Sequence, residues 1–407
     1  MAANQSPLTF LCISCYFKGE AFLRACKAAG NKVYLVTSKK LEHEAWPREA
    51  LEDIFYVQQN EEDTWEMKDV TVGLAHFMRS HKVNRIVALD DFDVEKAAML
   101  REHFRIPGMG QTTCRYFRDK LAMRFKAAEA GIPVPPFSAL FNDEEINAYA
   151  ESVAPPWVVK PRAEASATGI QKVHSQEELW AAIHRLGDER HNYLVEQFKP
   201  GDVYHADAIS ADGKVVFCRV SQYLNTPFEV AHQGGIFRSH TVDFASADDK
   251  ALQALNKKVM KAFGMQYSAS HTEFIKSKED GQFYFLETAS RVGGAHLAEM
   301  VEASSGINLW SEWAKLESAV ARDSKYQLPK VQKEYAGIVV SLSRFKNPDT
   351  SSFTEPEIWW RLKKDHHVGM IVKAKKRERI LELLDQYAER IGREFHASVP
   401  PEEKMSH

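Results

Sequence analysis

Glu273 and Glu287 fall in two strand-like runs, about residues 268–277 and 282–290, on either side of the turn segment Lys278, Glu279, Asp280, Gly281. A three-residue loop of Glu279, Asp280 and Gly281 would set the two glutamates directly opposite each other on one face. Cross-strand neighbours have Cβ atoms about 4.5–5.5 Å apart, a separation at which two carboxylates repel. Such a pair asks for a compensating cation, and a hard divalent ion with oxygen ligands, Mg²⁺ shared with phosphates, satisfies both. A slipped register with one glutamate exposed is the competing reading of this hairpin taken alone.

Cations and a small-residue loop upstream favour phosphate chemistry. Lys160 ends an apolar strand and precedes a loop containing Ala165, Ser166, Ala167 and Gly169, whose uncluttered backbone N–H groups could close over phosphates. An ammonium is a compact charge suited to phosphate oxygens, although a lysine at a strand end is often simply exposed. Glu196 ends another apolar strand, where its carboxylate and the neighbouring backbone could bond an adenine, or where it could be a solvated strand end. Arg291 lies four residues past Glu287, placed to neutralise a transferring phosphoryl group, and Gly293 and Gly294 follow it toward substrate. Arg238 could clamp a substrate carboxylate, with a surface arginine as the equal alternative. His240 is a second substrate candidate in the same segment, although it and His232 read more readily as structural. The acids Asp90, Asp91 and Asp93 are read as capping and turn residues or as ligands.

These residues need elements to hold them. Residues 8–15, 32–38 and 83–91 read as strands and 20–30 as a helix closed by Gly30, an alternation that predicts an open, doubly wound parallel sheet. After residue 111 the pattern becomes α+β. A helix capped by Asp119 and stopped by Gly131 leads into strands at "PWVVKP", "IQKVH", "YLVEQF", "VYHADAIS" and "KVVFCRVSQY". The last eighty residues hold two further strands and the helix "RERILELLDQYAERIG", forming a small lobe or a cap on the middle domain. Expected units are therefore residues 1–111, 112–325 and 326–407.

The ordered series "DK" (Asp119, Lys120), "VVKP", the small-residue loop, "VEQF", "HTEF" and "LETASRVGG" resembles the ATP-grasp superfamily over roughly residues 8–325. The resemblance implies an N-terminal pre-ATP-grasp α/β domain, a central ATP-grasp domain and a small C-terminal α+β lobe. It implies that Lys120 and Lys160 bind ATP phosphates, with Ser166 and Gly169 in the loop above them. Glu196, with the backbone at Gln197 and Phe198, would read adenine, Glu273 and Glu287 would hold Mg²⁺ (or Mn²⁺), and Arg291 would stabilise the transferred phosphoryl. Two positions depart from the pattern. Ala289 replaces a metal-binding Asn, and Val203 stands where many members carry a ribose-binding acid, a role Asp202 could take.

Composition excludes several other functions. With 53 Lys and Arg against 56 Asp and Glu, no broad basic field exists for nucleic acid, and the basic run at 373–379 reads as a solvated helix start. No run of 18 apolar residues suggests a membrane span, and five thinly spread cysteines suit a reducing, cytoplasmic setting. Cys12 and Cys15 form an isolated C-x-x-C that reads as core thiols. A dinucleotide-dependent oxidoreductase lacks its glycine fingerprint after the first strand. The leading reading is an ATP-dependent carboxylate–amine ligase for small acids or amino acids, with a homodimer left open. An ATP-binding module without turnover, acting as a sensor or subunit partner, is the alternative.

Overall fold

In the computed structural model, which describes residues 6–164, 169–226 and 235–397, each apolar run closes into a strand where glycine or a polar cap stops the neighbouring helix. Strands β1 (Thr9–Ser14), β2 (Lys32–Ser38), β3 (Asp53–Val57) and β4 (Arg85–Ala88) make a parallel sheet in the order β3-β2-β1-β4. Both its faces are buried, as an all-parallel sheet requires. Phe10 and Cys12 of β1 enter one core with Phe22 and Leu23, whereas Leu11, Ile13 and Cys15 enter another with Leu74 and Ala97. The C-x-x-C pair thus points to opposite faces and cannot share a metal, and burial pushes both thiols up from their ordinary pKa. Strand β3 has no counterpart among the strands expected from the sequence, because "DIFYV" is short and lies among polar turns.

Strands β5 (Phe137–Ala139), β6 (Trp157–Pro161), β7 (Gln171–Val173) and β8 (Tyr193–Gln197) form an antiparallel sheet in the order β5-β8-β6-β7. Helices Asp143–Ser152 and Gln176–Leu186 cover one face through Ile146, Leu179 and Ile183. The third sheet is antiparallel and larger. Its strands are β9 (Gly201–Ala211), β10 (Lys214–Tyr223), β11 (Phe237–Thr241), β12 (Ser268–Ser277), β13 (Phe283–Ala289), β14 (Tyr335–Leu342), β15 (Ile358–Arg361) and β16 (His367–Ala374). They run in the order β13-β12-β9-β10-β11-β14-β16-β15.

The expected boundary at residue 326 therefore falls inside one sheet. Strand β14 pairs with β11, so residues after 326 continue the central sheet and do not stand as a separate lobe. The reason is the strand Phe237–Thr241, hidden in sequence within a glycine-rich segment, which supplies the edge that β14 needs. Helix Arg377–Glu394 then covers the extension through Ile380, Leu384 and Tyr387. No described helix is long and apolar enough to cross a membrane.

Candidate active site

Glu273 and Glu287 are directly paired across β12 and β13. The register arises by a different route from the one the loop arithmetic assumed. Ser277 N–H donates to the Gln282 carbonyl at 2.9 Å, closing a four-residue loop, Lys278–Gly281. Leu286 is then an extra residue: Phe274 pairs with Phe285, but Glu273 pairs with Glu287. This bulge restores the opposition that the longer loop would have lost. Lys120 Nζ lies 2.8 Å from Glu287 Oε2, and Tyr223 donates its hydroxyl to Glu273 Oε1 at 2.9 Å. Burial would raise Glu287, but the Lys120 ammonium outweighs it and holds the carboxyl below its usual range.

Lys120 occupies the first position of helix Lys120–Glu129, whose N-cap Asp119 accepts from Leu121 N–H at 2.9 Å and also grips the Arg162 guanidinium. Arg162 carries the chain out of β6, so this clamp fixes Lys120 beside Lys160. Lys160 is 6% exposed and bound to Glu196, which also takes Arg124 Nε at 2.9 Å. Burial lowers Lys160 to about 8 despite the support of Glu196, so its charge is expensive and is held by one carboxylate. Glu196 is lowered because the two cations outweigh its own burial.

The Glu196 carboxylate is bound by Arg124 and Lys160 and positions Lys160, while Glu196, Gln197 and Phe198 all line the cavity. The N–H groups of Gln197 and Phe198 donate to the Pro136 and Pro156 carbonyls at 2.8 and 3.0 Å.

Arg291 is held by Asp91, a residue of the "DDFD" segment, and by the Val292 carbonyl at 2.8 Å. Asp90 plays the capping part, accepting from Phe92 N–H at 3.2 Å. Beneath Glu273 lies a buried chain of groups. Asp207 gives one oxygen to His205 Nδ1 at 2.7 Å and the other to His271 Nδ1 at 2.8 Å. His271 Nε2 then lies 3.5 Å from Glu273 Oε1. Burial works against a charge on His271, but Asp207 outweighs it and raises the imidazole to about 10. The three groups satisfy one another, so they support Glu273 and do not form a metal site of their own. A Cβ on Gly293 would lie 2.9 Å from Asp207 Oδ1 and from His271 Nδ1, which explains why only glycine fits there.

Other expected residues lie elsewhere. Asp202 pairs with Lys278 at 3.6 Å and is half-exposed; strand alternation turns Val203, not Asp202, into the cavity. Arg238 bonds Asp385 at 2.6 Å and Asn225 at 3.1 Å, fastening the C-terminal helix to the sheet. His240 is 1% exposed, donates Nδ1–H to the Thr241 carbonyl at 2.9 Å, and is lowered to about 4 by burial. Neither lines the cavity. Gly294 does, whereas Gly169, with φ +69°, lies at the edge of the loop. Ser166 and His232 are outside the described residues. Tyr223, His271, Asp207 and Arg118 carry no local motif, and only the sheet register and domain packing bring them to the site.

One cavity of about 720 Å³ gathers this set. Val158, Ile170, Phe198, Val203, Ile275 and Leu286 give it apolar lining, and Lys120, Lys160, Glu273, Glu287 and Arg291 charged lining. Its size is that of a ligand site rather than a packing defect. Two paired carboxylates offering only oxygen fit a hard divalent cation, and the adjacent ammonium groups fit phosphates. Ala289, beside this pair, contributes only a methyl group.

Residues 153–299 match the sequence family described as ATP-grasp domain. The chain is 28% identical over 308 residues to the L-arginine-specific L-amino acid ligase of Bacillus subtilis, covering 73% of this chain and 72% of that protein. It is 24% identical over 204 residues to D-alanine–D-alanine ligase of Neisseria gonorrhoeae, covering 49% of this chain and 66% of that enzyme. In fold it is similar to the L-amino acid ligase of Bacillus licheniformis, with TM-score 0.77, 15% identity and coverage of 98% and 100% of the two chains. It is also similar to N5-carboxyaminoimidazole synthetase of Staphylococcus aureus complexed with ADP, at TM-score 0.71 and 14% identity over 95% and 98%.

Proposed function

We propose that this chain is an ATP-grasp carboxylate–amine ligase, a reading supported by the family match over residues 153–299 and by the similar ligases, and that it joins an amino acid or small carboxylic acid to an amine through an acyl-phosphate. A carboxylate is a poor acylating agent because oxide would have to leave. Transfer of the γ-phosphoryl from ATP to the carboxylate oxygen releases ADP and makes phosphate the leaving group. Attack of the amine nitrogen on the acyl carbon then forms the amide, expels phosphate and releases a proton. The chemistry needs positioning and charge neutralisation more than a side-chain nucleophile.

Each role falls to a residue already placed. Lys120 and Lys160 would bind the phosphates, and the apolar lining would take the base. Arg291 would neutralise the transferring group. Held by Glu273 and Glu287, Mg²⁺ or Mn²⁺ would neutralise the terminal phosphates. The single observation that carries this reading is the direct pairing of Glu273 with Glu287 beside Lys120. The names of the relatives support amino acids as substrates and weigh against a binding module without turnover. Five free thiols suit a reducing cytoplasm, the setting we assign.

ADP release measured across pairs of amino acids with Mg²⁺ tests the reading. Stimulation by at least one pair, with an equivalent amount of dipeptide formed, is expected. ATP binding without ADP release under every pair would overturn it.

A further inference from the structure

The mechanism above leaves one buried cation without work. Arg118 is 9% exposed, lines the same cavity as Arg291 and Asp91, and is stacked on the Phe92 ring at 4.2 Å. Its guanidinium has no hydrogen bond or ion pair among the described residues. The neighbouring cations are all engaged: Lys18 by Asp90, Lys120 by Glu287, Lys160 by Glu196 and Arg291 by Asp91. A guanidinium carries five donors in a rigid fork, and those of Arg118 are left open to the cavity, where an anion could take them. Asp91, which feels both arginines, spends Oδ2 on Arg291 and leaves Oδ1 buried without a partner. A donor fork and an acceptor thus remain near each other on the wall of the cavity.

We propose that Arg118 is a substrate-binding residue that holds a carboxylate which does not react, that of the amine substrate, with Asp91 Oδ1 accepting from its amino group. The inference rests on the ligase reading. The reacting carboxylate must lie by the phosphates, Lys120, Lys160 and Arg291, so a separate unpaired guanidinium fits a second carboxylate. The amine substrate is then itself an α-amino acid, and the product keeps a free carboxylate on Arg118. Planar, two-toothed geometry suits a carboxylate better than a lysine would.

The test compares L-amino acids with their carboxamides as amine substrates, in wild type, Arg118→Gln and Arg118→Lys, each at the acyl donor giving the fastest ADP release. Wild type should prefer the carboxylate form by about 10- to 100-fold in kcat/KM, the worth of a hydrogen-bonded charge pair. R118Q should bring that preference to near unity through the KM of the amine, and R118K should retain part of it. MgADP affinity by calorimetry, expected to be unchanged, shows that the variants are folded. R118Q that keeps the preference, or that raises the KM of ATP instead, overturns the proposal. Wild type that ligates without preferring carboxylates also overturns it and leaves the ligase reading intact. Wild type that ligates no pair sinks both.

Discussion

Lys160 is where burial and charge oppose each other most directly. Its ammonium survives at 6% exposure only because Glu196 accepts from it, and Glu196 in turn neutralises Arg124, whose side chain is fully buried. Glu196→Gln would leave two buried cations facing one neutral amide. Breaking a buried pair from one side costs about 3–5 kcal/mol, and chemical denaturation should read a loss of that order. The same arrangement sets a pH dependence. With Lys160 lowered to about 8, the free protein loses this positive charge as pH rises through that value. Phosphate binding requires the ammonium, so MgADP affinity should be flat below about pH 8 and fall by about tenfold per unit above it. Titration calorimetry between pH 6.5 and 9.5 checks the slope, and Lys160→Arg should flatten it because a guanidinium does not deprotonate there.

At the scale of elements, what matters is how a strand or helix end aims a side chain. The Asp119 cap does this for Lys120, and its second bond to Arg162 ties the helix start to the end of β6. Asp119→Ala removes both and should cost about 1–2 kcal/mol, while Asp119→Asn keeps the cap and should cost less than half as much; thermal melts of the two variants separate them. The parallel sheet, the helix caps and the Glu273–Glu287 pairing were legible in the sequence because each rests on local periodicity or a turn signal. The bulge at Leu286 was not, since a three-residue loop without a bulge gives the same opposition as the four-residue loop with one. Asp202 was misplaced because the neighbouring residue, not the matching residue type, decides which side chain faces in when a strand alternates. Glu196 was placed at the right strand end, but its partner Arg124 lies 72 residues away in sequence, and no spacing rule predicts that bond. His271, Asp207 and Arg118 were invisible for the same reason.

The whole molecule is joined by buried links between its sheets. Arg291, just past β13, reaches Asp91 at the end of the parallel sheet. Ile338 of β14 and Ile371 of β16 share a core with Val203, Ile275 and Leu297, residues beside the cavity. Truncation at residue 325 would expose the β11 edge and strip that core, so residues 6–325 should lack a cooperative thermal transition and should aggregate, as light scattering during a melt would register.

The most direct measurement replaces both strand glutamates, Glu273→Gln with Glu287→Gln, and follows Mg²⁺-dependent ADP release with the best amino-acid pair. Glutamine keeps the shape and removes both charges. The account predicts a loss of about a thousandfold or more in a double variant that still melts cooperatively, because the metal ligands are lost. Release at near wild-type rate from a folded double variant would contradict it.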